Sequence, residues 1–199
     1  MLGGIRTERQ YFEYVKGELR TAGIDIELVA EGWTPMKLYE HAIDLRDRDK
    51  RDAKKSGDSD NVYDEVWVVS DVDEFVDELK QVKERARGTG VRLAITNPCF
   101  EAWLSMHVDG SAAKLDRHQA QDLAKRQGLV DADKVKNIII DKLRGKFDVA
   151  ATHARRHAAA HESAKTVFPH DVPASDVDLL VGGLRDRALR SNPNLKAGL

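Results

Sequence analysis

Three acidic residues follow an apolar run in the middle of the chain. Asp71, Asp73 and Glu74 come directly after residues 65–70, a β-branched run typical of a strand covered on both faces. Ligands of open α/β sheets bind at the carboxyl ends of strands, so two of these carboxylates can converge on one cation. Hard divalent ions such as Mg²⁺, or Mn²⁺, take carboxylate oxygens, with water and substrate phosphate completing the shell. Helix capping explains one acidic residue here, but three in four positions exceed that need. We predict a metal site formed by all three, with Asp71 and Asp73 also catalytic.

A fourth carboxylate is expected beside this cluster. Residues 91–96 predict a second buried strand, after which Asn97 caps and Pro98 starts a helix. Glu101 lies in the first turn of that helix, where the helix dipole stabilises a carboxylate or where it can face the same cation. We predict a catalytic role for Glu101. The apolar residues that follow are expected in the core, and Cys99 is expected to be a buried small residue rather than a nucleophile.

Four arginines are candidates for contacts with nucleic-acid phosphates: Arg46, Arg51, Arg155 and Arg156. The first two lie near the end of a helix predicted over 35–52. The other two lie among His153, His157 and His161, which recur every four residues on one helical face. This spacing can bind zinc, but the glutamate of an HExxH motif is absent, so a solvated or phosphate-facing basic helix is favoured.

The elements that position these residues alternate in type. Helical periodicity covers 7–22, 35–52 and 74–87, and a further helix begins at about 98. Strand patterns cover 24–29, 65–70 and 91–96. This order predicts an α/β fold with a parallel sheet flanked by helices. After residue 110 only helices are predicted, over 114–127, 131–144, 148–164 and 175–190. We therefore expect an α/β core over 1–110 and an all-helical C-terminal portion over 111–199 that packs on it.

Composition and charge narrow the class of protein. With 199 residues and one cysteine, the chain can form a full core but no internal disulfide and no cysteine-based zinc site. No apolar run reaches ~18 residues, and the N-terminus does not resemble a signal peptide, so a cytoplasmic protein without membrane contact is expected. Residues 1–110 hold 16 Lys and Arg against 23 Asp and Glu, whereas residues 111–199 hold 16 against 11. The carboxylates of an acidic first half could bind a metal beside phosphates that the cations of a basic second half bind. Solvation of a helical surface alone also explains the basic half.

Four motifs, in order and over residues 5–110, resemble those of RloB-like proteins. They are Arg6-Thr7-Glu8 with Tyr11-Phe12, Gly32-x-Thr34-Pro35, Tyr63-Asp64-Glu65-Val66-Trp67-Val68-Val69-x-Asp71-x-Asp73, and Asn97-Pro98-Cys99-Phe100-Glu101-x-Trp103-Leu104-x-x-His107. These proteins are of the Toprim-like class and are encoded in bacterial and archaeal defence islands. Their genes often lie beside restriction-modification genes or the gene of an AAA-type ATPase.

The resemblance implies a Toprim-like sheet with an acidic Mg²⁺ centre and an activity that cleaves a nucleic-acid backbone, DNA or RNA, in phage defence or abortive infection. Asp71 and Asp73 match the family's metal-binding pair. The family's general acid/base glutamate does not carry over, because Gly3 occupies its position in the pattern. Glu8, inside the first turn of the first helix, is a candidate substitute for it. The first strand is also expected to be missing, so either the sequence starts late or this member has lost the catalytic group. If the chain is complete as given, its sheet exposes an edge that favours pairing with a partner.

Three functions follow from these observations. The first is a metal-dependent nuclease subunit, which an ATPase partner would assist. The second is a catalytically inactive subunit that binds a partner or nucleic acid, which Gly3 favours. The third is another phosphate-handling α/β enzyme, such as a phosphotransferase.

Overall fold

The computed structural model describes residues 1–4, 6–57, 62–110, 114–131, 137–195 and 198–199. Within these residues, three strands are present: β1 (Val66–Asp71), β2 (Val91–Asn97) and β3 (Ala174–Ser175). The α-helices of the same residues are α1 (Thr7–Leu19), α2 (Pro35–Ser56), α3 (Val76–Ala86), α4 (Phe100–Ser105), α5 (Arg117–Arg126), α6 (Phe147–Ser163) and α7 (Val177–Ser191). Short 3-10 turns cover Arg20–Ala22 and Ile140–Lys142.

The sheet is small and mixed. β1 and β2 pair in parallel from Val66 opposite Val91 to Asp71 opposite Thr96. β3 pairs antiparallel to the end of β2, with Ala174 opposite Asn97. The α/β class is therefore confirmed, but the sheet is not wholly parallel. The prediction of an all-helical C-terminal portion is wrong, because its two-residue strand β3 completes the sheet.

The N-terminal residues take the position beside β1 that was expected to be empty. Leu2 forms parallel β-bridges with Ala30 on one side and with Val69 on the other. The amide of Gly3 donates to Val69 O at 2.9 Å, and that of Val69 donates to Met1 O at 2.8 Å. The expectation of an unpaired edge is thus corrected, although the pairing is an isolated bridge rather than a strand.

The prediction of a strand over 24–29 is wrong. This segment is extended, and Ile24, Ile26 and Leu28 pack against the core between exposed neighbours. A strand also requires a continuous hydrogen-bonded neighbour, whereas here the described pairing is limited to Leu2, whose amide donates to Val29 O at 2.8 Å and which forms an isolated bridge with Ala30. Between residues 24–29 and the start of β1 lies an open cavity of about 480 Å³, which Leu2 borders at one end.

The second half departs furthest from the predicted helices. The predicted helices over 114–127, 148–164 and 175–190 are present as α5, α6 and α7, each shorter or shifted by a few residues. The helix predicted over 131–144 is wrong where the structure describes it. Val130 and Ile138 form an antiparallel bridge and a 3-10 turn follows, while residues 132–136 lie outside the described residues.

One apolar core joins residues from both halves of the chain. Tyr11, Phe100 and Trp103 pack with Phe147 of α6 and Val181 of α7 in a single buried cluster. The expected burial of Phe100, Trp103 and Leu104 is confirmed, since each is at most 2% exposed. Among the described residues, no helix is long and apolar enough to cross a membrane.

The pairing of residues 1–3 predicts a measurable loss of stability in Leu2→Ala. Leu2 is 2% exposed and packs in the main core, so we expect a loss of about 2–4 kcal/mol in the free energy of unfolding. Urea denaturation measures this loss. The control is Leu179→Ala on α7, because Leu179 is 61% exposed and its loss should stay within about 0.5 kcal/mol. Equal, small losses in both variants would contradict the pairing.

Candidate active site

The ends of β1 and β2 bring the predicted acidic residues to one edge of the sheet. Asp71 closes β1 opposite Thr96, and the amide of Val72 donates to Thr96 O at 3.0 Å. The amide of Asp73 then donates to Pro98 O at 3.0 Å. Asp73 has φ of 34°, a left-handed conformation that L-residues other than Asn and Asp rarely adopt. The turn after β1 is thus hydrogen-bonded to the turn after β2.

The turn after β2 differs from its prediction. α4 begins at Phe100 with Cys99 at the N-cap, so Asn97 does not cap it and Pro98 precedes it. The Asn97 amide nitrogen instead donates to Pro169 O and to Asp171 Oδ1, both at 2.9 Å. Asn97 therefore anchors the segment that leads into β3.

Glu101 lies in the first turn of α4 and is 5% exposed. This placement, one turn beyond the end of β2, was predicted from the sequence. Its carboxylate is close enough to Asp71 to raise the pKa of that residue.

Glu8 is the acidic residue of this edge that the sequence suggested only as a substitute for the family's glutamate, outside the predicted site residues. It lies in the first turn of α1 and is 5% exposed. A side chain at Gly4 would overlap the Glu8 carboxylate in this position, so the glycine leaves room for it. Residues 1–3, which precede α1, are hydrogen-bonded to Val69 of β1, and the charges of Asp71 and Glu101 both act on Glu8.

Burial and mutual repulsion raise the pKa values of these carboxyls. Burial, and then the charge of Asp71, raises the pKa of Glu8 to about 8. Burial, followed by the charges of Asp73 and Glu101, raises the pKa of Asp71 to about 6. Removing carboxylates from water penalises the ionised form, and like charges nearby add to that penalty. The Glu8 carboxyl is therefore mainly protonated near neutral pH.

Arg117 supplies a positive charge at this edge. Nη1 of Arg117, the first residue of α5, lies 2.8 Å from Oδ1 and 2.7 Å from Oδ2 of Asp73. The Asp73 side chain is 18% exposed, whereas that of Arg117 is 45% exposed. The charge of Arg117 also acts to lower the pKa of Asp71, against the larger effects that raise it. This arginine was not among the predicted phosphate contacts.

The chemistry of these side chains suits a hard divalent cation. Among the described residues, no three His, Cys, Asp or Glu side chains converge as a ready ligand set. Mg²⁺ usually takes only one or two carboxylates and keeps several waters, so a full protein cage is not required. Repulsion among buried carboxylates is what a cation would relieve. Asp71 with Glu101 or Asp73 therefore fits Mg²⁺ or Mn²⁺.

The other predicted site residues are exposed or lie at the far end of the strands. Glu74 is exposed in the turn after β1. A guanidinium nitrogen of Arg46 is near Gly90, which precedes β2, and this residue forms an ion pair with Asp47 at 2.6 Å. Gly90 lies at the opposite end of the strands from the carboxylates, about 20 Å away along a six-residue strand. Arg51 lies further along α2 and is exposed.

The histidine face of α6 packs inward, which corrects the prediction of a solvated or phosphate-facing helix. His157 is 4% exposed, and ring nitrogens of His153 and His161 are hydrogen-bonded to Met106 O and Pro173 O. Arg155 and Arg156 are exposed residues whose guanidinium groups donate to Ala151 O and Gly110 O. The interpretation of Cys99 as a buried residue is confirmed, and burial raises the pKa of its thiol.

Comparison with known proteins identifies the family. The profile of the RloB-like protein family matches residues 1–184, which is most of the chain. The chain belongs to the RloB-like protein family. No curated protein and no solved structure matches it. In this RloB-like protein the buried carboxylates lie within the matched region, as does Arg117.

Glu8 predicts a specific pH dependence of stability. The pKa of Glu8 rises from its ordinary value of 4.5 to about 8 on folding. Glu8 therefore contributes fully to the stability of the folded state below pH 4.5, and this contribution is lost as the pH rises through 8. Glu8→Gln removes this dependence. Between pH 5 and 8, we expect the variant to gain stability over the wild type by at most about 1.4 kcal/mol per pH unit.

Urea denaturation at pH 5, 6.5 and 8 checks this prediction. Glu13→Gln is the matched control, because Glu13 lies on the same helix with a half-exposed side chain. Its unfolding free energy should follow the wild type across the range. Parallel curves for Glu8→Gln and the wild type would show that Glu8 is not buried as a protonated acid.

Proposed function

We propose that this protein is a metal-dependent nuclease that cleaves the phosphodiester backbone of DNA or RNA. The cluster of Glu8, Asp71 and Glu101 at the carboxyl edge of the sheet, in which Glu8 and Glu101 are buried and Asp71 is partly buried, carries this proposal. Family membership supports it, because the RloB resemblance implies a Toprim-like acidic centre, phage defence and a working ATPase partner.

In this proposal Asp71 and Glu101 bind Mg²⁺ or Mn²⁺, with Asp73 as the third carboxylate of the centre. The ion would polarise the phosphodiester and stabilise charge on its attacking and leaving oxygens. Glu74 is exposed, so any contribution from it would pass through water. Arg155 and Arg156 are exposed on the C-terminal half and remain candidates for backbone contacts, as does Arg51 on α2, whereas Arg46 lies near Gly90 at the start of β2.

Glu8 takes the role of the acid in this scheme. Its carboxyl carries a proton near neutral pH and lies beside Asp71, so one carboxyl oxygen of Glu8 can donate that proton to a leaving oxygen. The two functions of the centre are thus divided between its carboxyls, with ionised Asp71 binding the cation and protonated Glu8 serving the leaving group.

Metal binding by Asp71→Asn tests the centre. Calorimetry with Mn²⁺ should show affinity lower by at least about tenfold than in the wild type, since even outer partners of a metal contribute that much. Asp77→Asn is the control, because Asp77 is exposed in the first turn of α3 and paired with Lys80. Glu74→Gln should have a much smaller effect than Asp71→Asn. Equal Mn²⁺ affinity in the wild type and Asp71→Asn would overturn the proposal.

The alternative is a catalytically inactive binding subunit, which the glycine at the family's glutamate position favours. A Cβ placed on Gly3 would have ordinary contacts, the nearest at 3.4 Å to Ser70 Oγ, so position 3 tolerates a side chain. Cleavage of single-stranded DNA and of tRNA is measured with Mn²⁺ for the wild type, Glu8→Gln and Gly3→Glu. Cleavage by the wild type that Glu8→Gln loses supports the nuclease. Cleavage gained only in Gly3→Glu supports the inactive subunit.

A further inference from the structure

The ion pair between Arg117 and Asp73 occupies a carboxylate of the proposed centre. Both oxygens of Asp73 lie within 2.8 Å of the same guanidinium nitrogen. A cation that bound this carboxylate would have to share or replace that contact. Arg117 and a divalent ion therefore compete for Asp73.

The backbone of Arg117 is held in place independently of this ion pair. Asp116 caps α5 by accepting from the Gln119 amide at 2.9 Å, and the Gln119 side chain accepts from the Asp116 amide at 3.0 Å. The thiol of Cys99 also lies 3.8 Å from Arg117 O. This capping box fixes where α5 begins, so the Arg117 side chain can leave Asp73 without moving the helix.

The guanidinium has donors left for a second partner. Within the part of the chain that the structure describes, its contacts to Asp73 use Nη1 alone, and 45% of the side chain is exposed. A guanidinium presents five donors in a planar fork that matches phosphate geometry. Once Asp73 is neutralised by a cation, the nearest anionic partner for this fork is the phosphate that binds the same cation.

We propose that Arg117 exchanges partners, binding Asp73 when the centre is empty and a backbone phosphate of the nucleic acid when the centre holds its cation. This inference rests on the proposed function and adds a substrate-binding residue to it. The exchange makes phosphate and metal binding cooperative. A phosphate that binds Arg117 frees Asp73 for the cation, and a cation that binds Asp73 frees Arg117 for the phosphate. In the free protein, the ion pair limits the charge repulsion among the carboxylates.

The experiment compares Arg117→Ala and Arg117→Lys with Arg126→Ala. Arg126 is exposed in the last turn of the same helix. Arg126→Ala therefore removes the same charge as Arg117→Ala without changing a residue of the centre. Calorimetry gives the Mn²⁺ affinity of each protein alone. Fluorescence anisotropy then gives the affinity for a labelled single-stranded DNA and an RNA of the same sequence, with Ca²⁺ present and over a range of salt concentrations.

Arg117→Ala should bind Mn²⁺ severalfold more tightly than the wild type, since its competitor is gone. It should bind the oligonucleotide about tenfold more weakly, with a salt dependence lower by about one charge. Arg117→Lys should recover part of the oligonucleotide affinity, and Arg126→Ala should match the wild type in Mn²⁺ affinity. Weaker or unchanged Mn²⁺ binding in Arg117→Ala would overturn the exchange, as would oligonucleotide affinity equal to that of Arg126→Ala. Failure of the proposed function is distinct, because wild-type Mn²⁺ binding would then not depend on Asp71.

Discussion

The cost of burying carboxylates at one edge of the sheet governs the arrangement around it. An ionised carboxylate removed from water loses several kcal/mol of solvation, so it must be protonated or paired. The protein uses both solutions. Glu8 holds a proton, as its raised pKa indicates, and Asp73 is paired with Arg117. Asp71 lies between these two neutralised groups and is the carboxylate on which a cation would act most directly.

Residues from both halves of the chain meet at this edge of the sheet. Glu8 comes from the first helix, Asp71 from the end of β1, Glu101 from the first turn of α4, and Arg117 from the second half. β3 pairs with the end of β2, and the Asn97 amide is hydrogen-bonded to the segment before β3. The second half thus closes the edge of the sheet on which the carboxylates lie. A polar site of this kind is stabilised by the surrounding packing rather than by its own interactions.

Local sequence patterns predicted the part of the site that lies on strands. The β-branched run before Asp71 and the second apolar run before Asn97 are strong strand signals, and parallel strands end at a common edge. Glu8 could not be placed in this way, because its position depends on residues 1–3 pairing with β1, a tertiary contact. The glycine at position 4 was the available signal, since it removes a side chain where the Glu8 carboxylate lies.

Arg117 was missed for a different reason. Its helix was predicted, but nothing in a helical pattern indicates which sheet edge the first residue will face. The Asp116-x-x-Gln119 capping box marks the start of α5 and would have placed Arg117 at the helix terminus. The sequence predicts a helix over 131–144, whereas around Ile138 the chain forms a bridge and a tight turn. Short apolar runs do not distinguish these outcomes.

The positions of residues 1 and 199 bear on how this protein should be handled in the laboratory. The Met1 ammonium donates to Trp67 O at 2.9 Å inside the sheet, and Leu199 is 6% exposed in the core. Substitutions at either residue would disturb this packing, so a probe is better attached elsewhere. Val167 is 70% exposed, and the single native thiol is buried. A cysteine introduced at position 167 would therefore accept a fluorescent dye selectively, far in sequence from both packed ends.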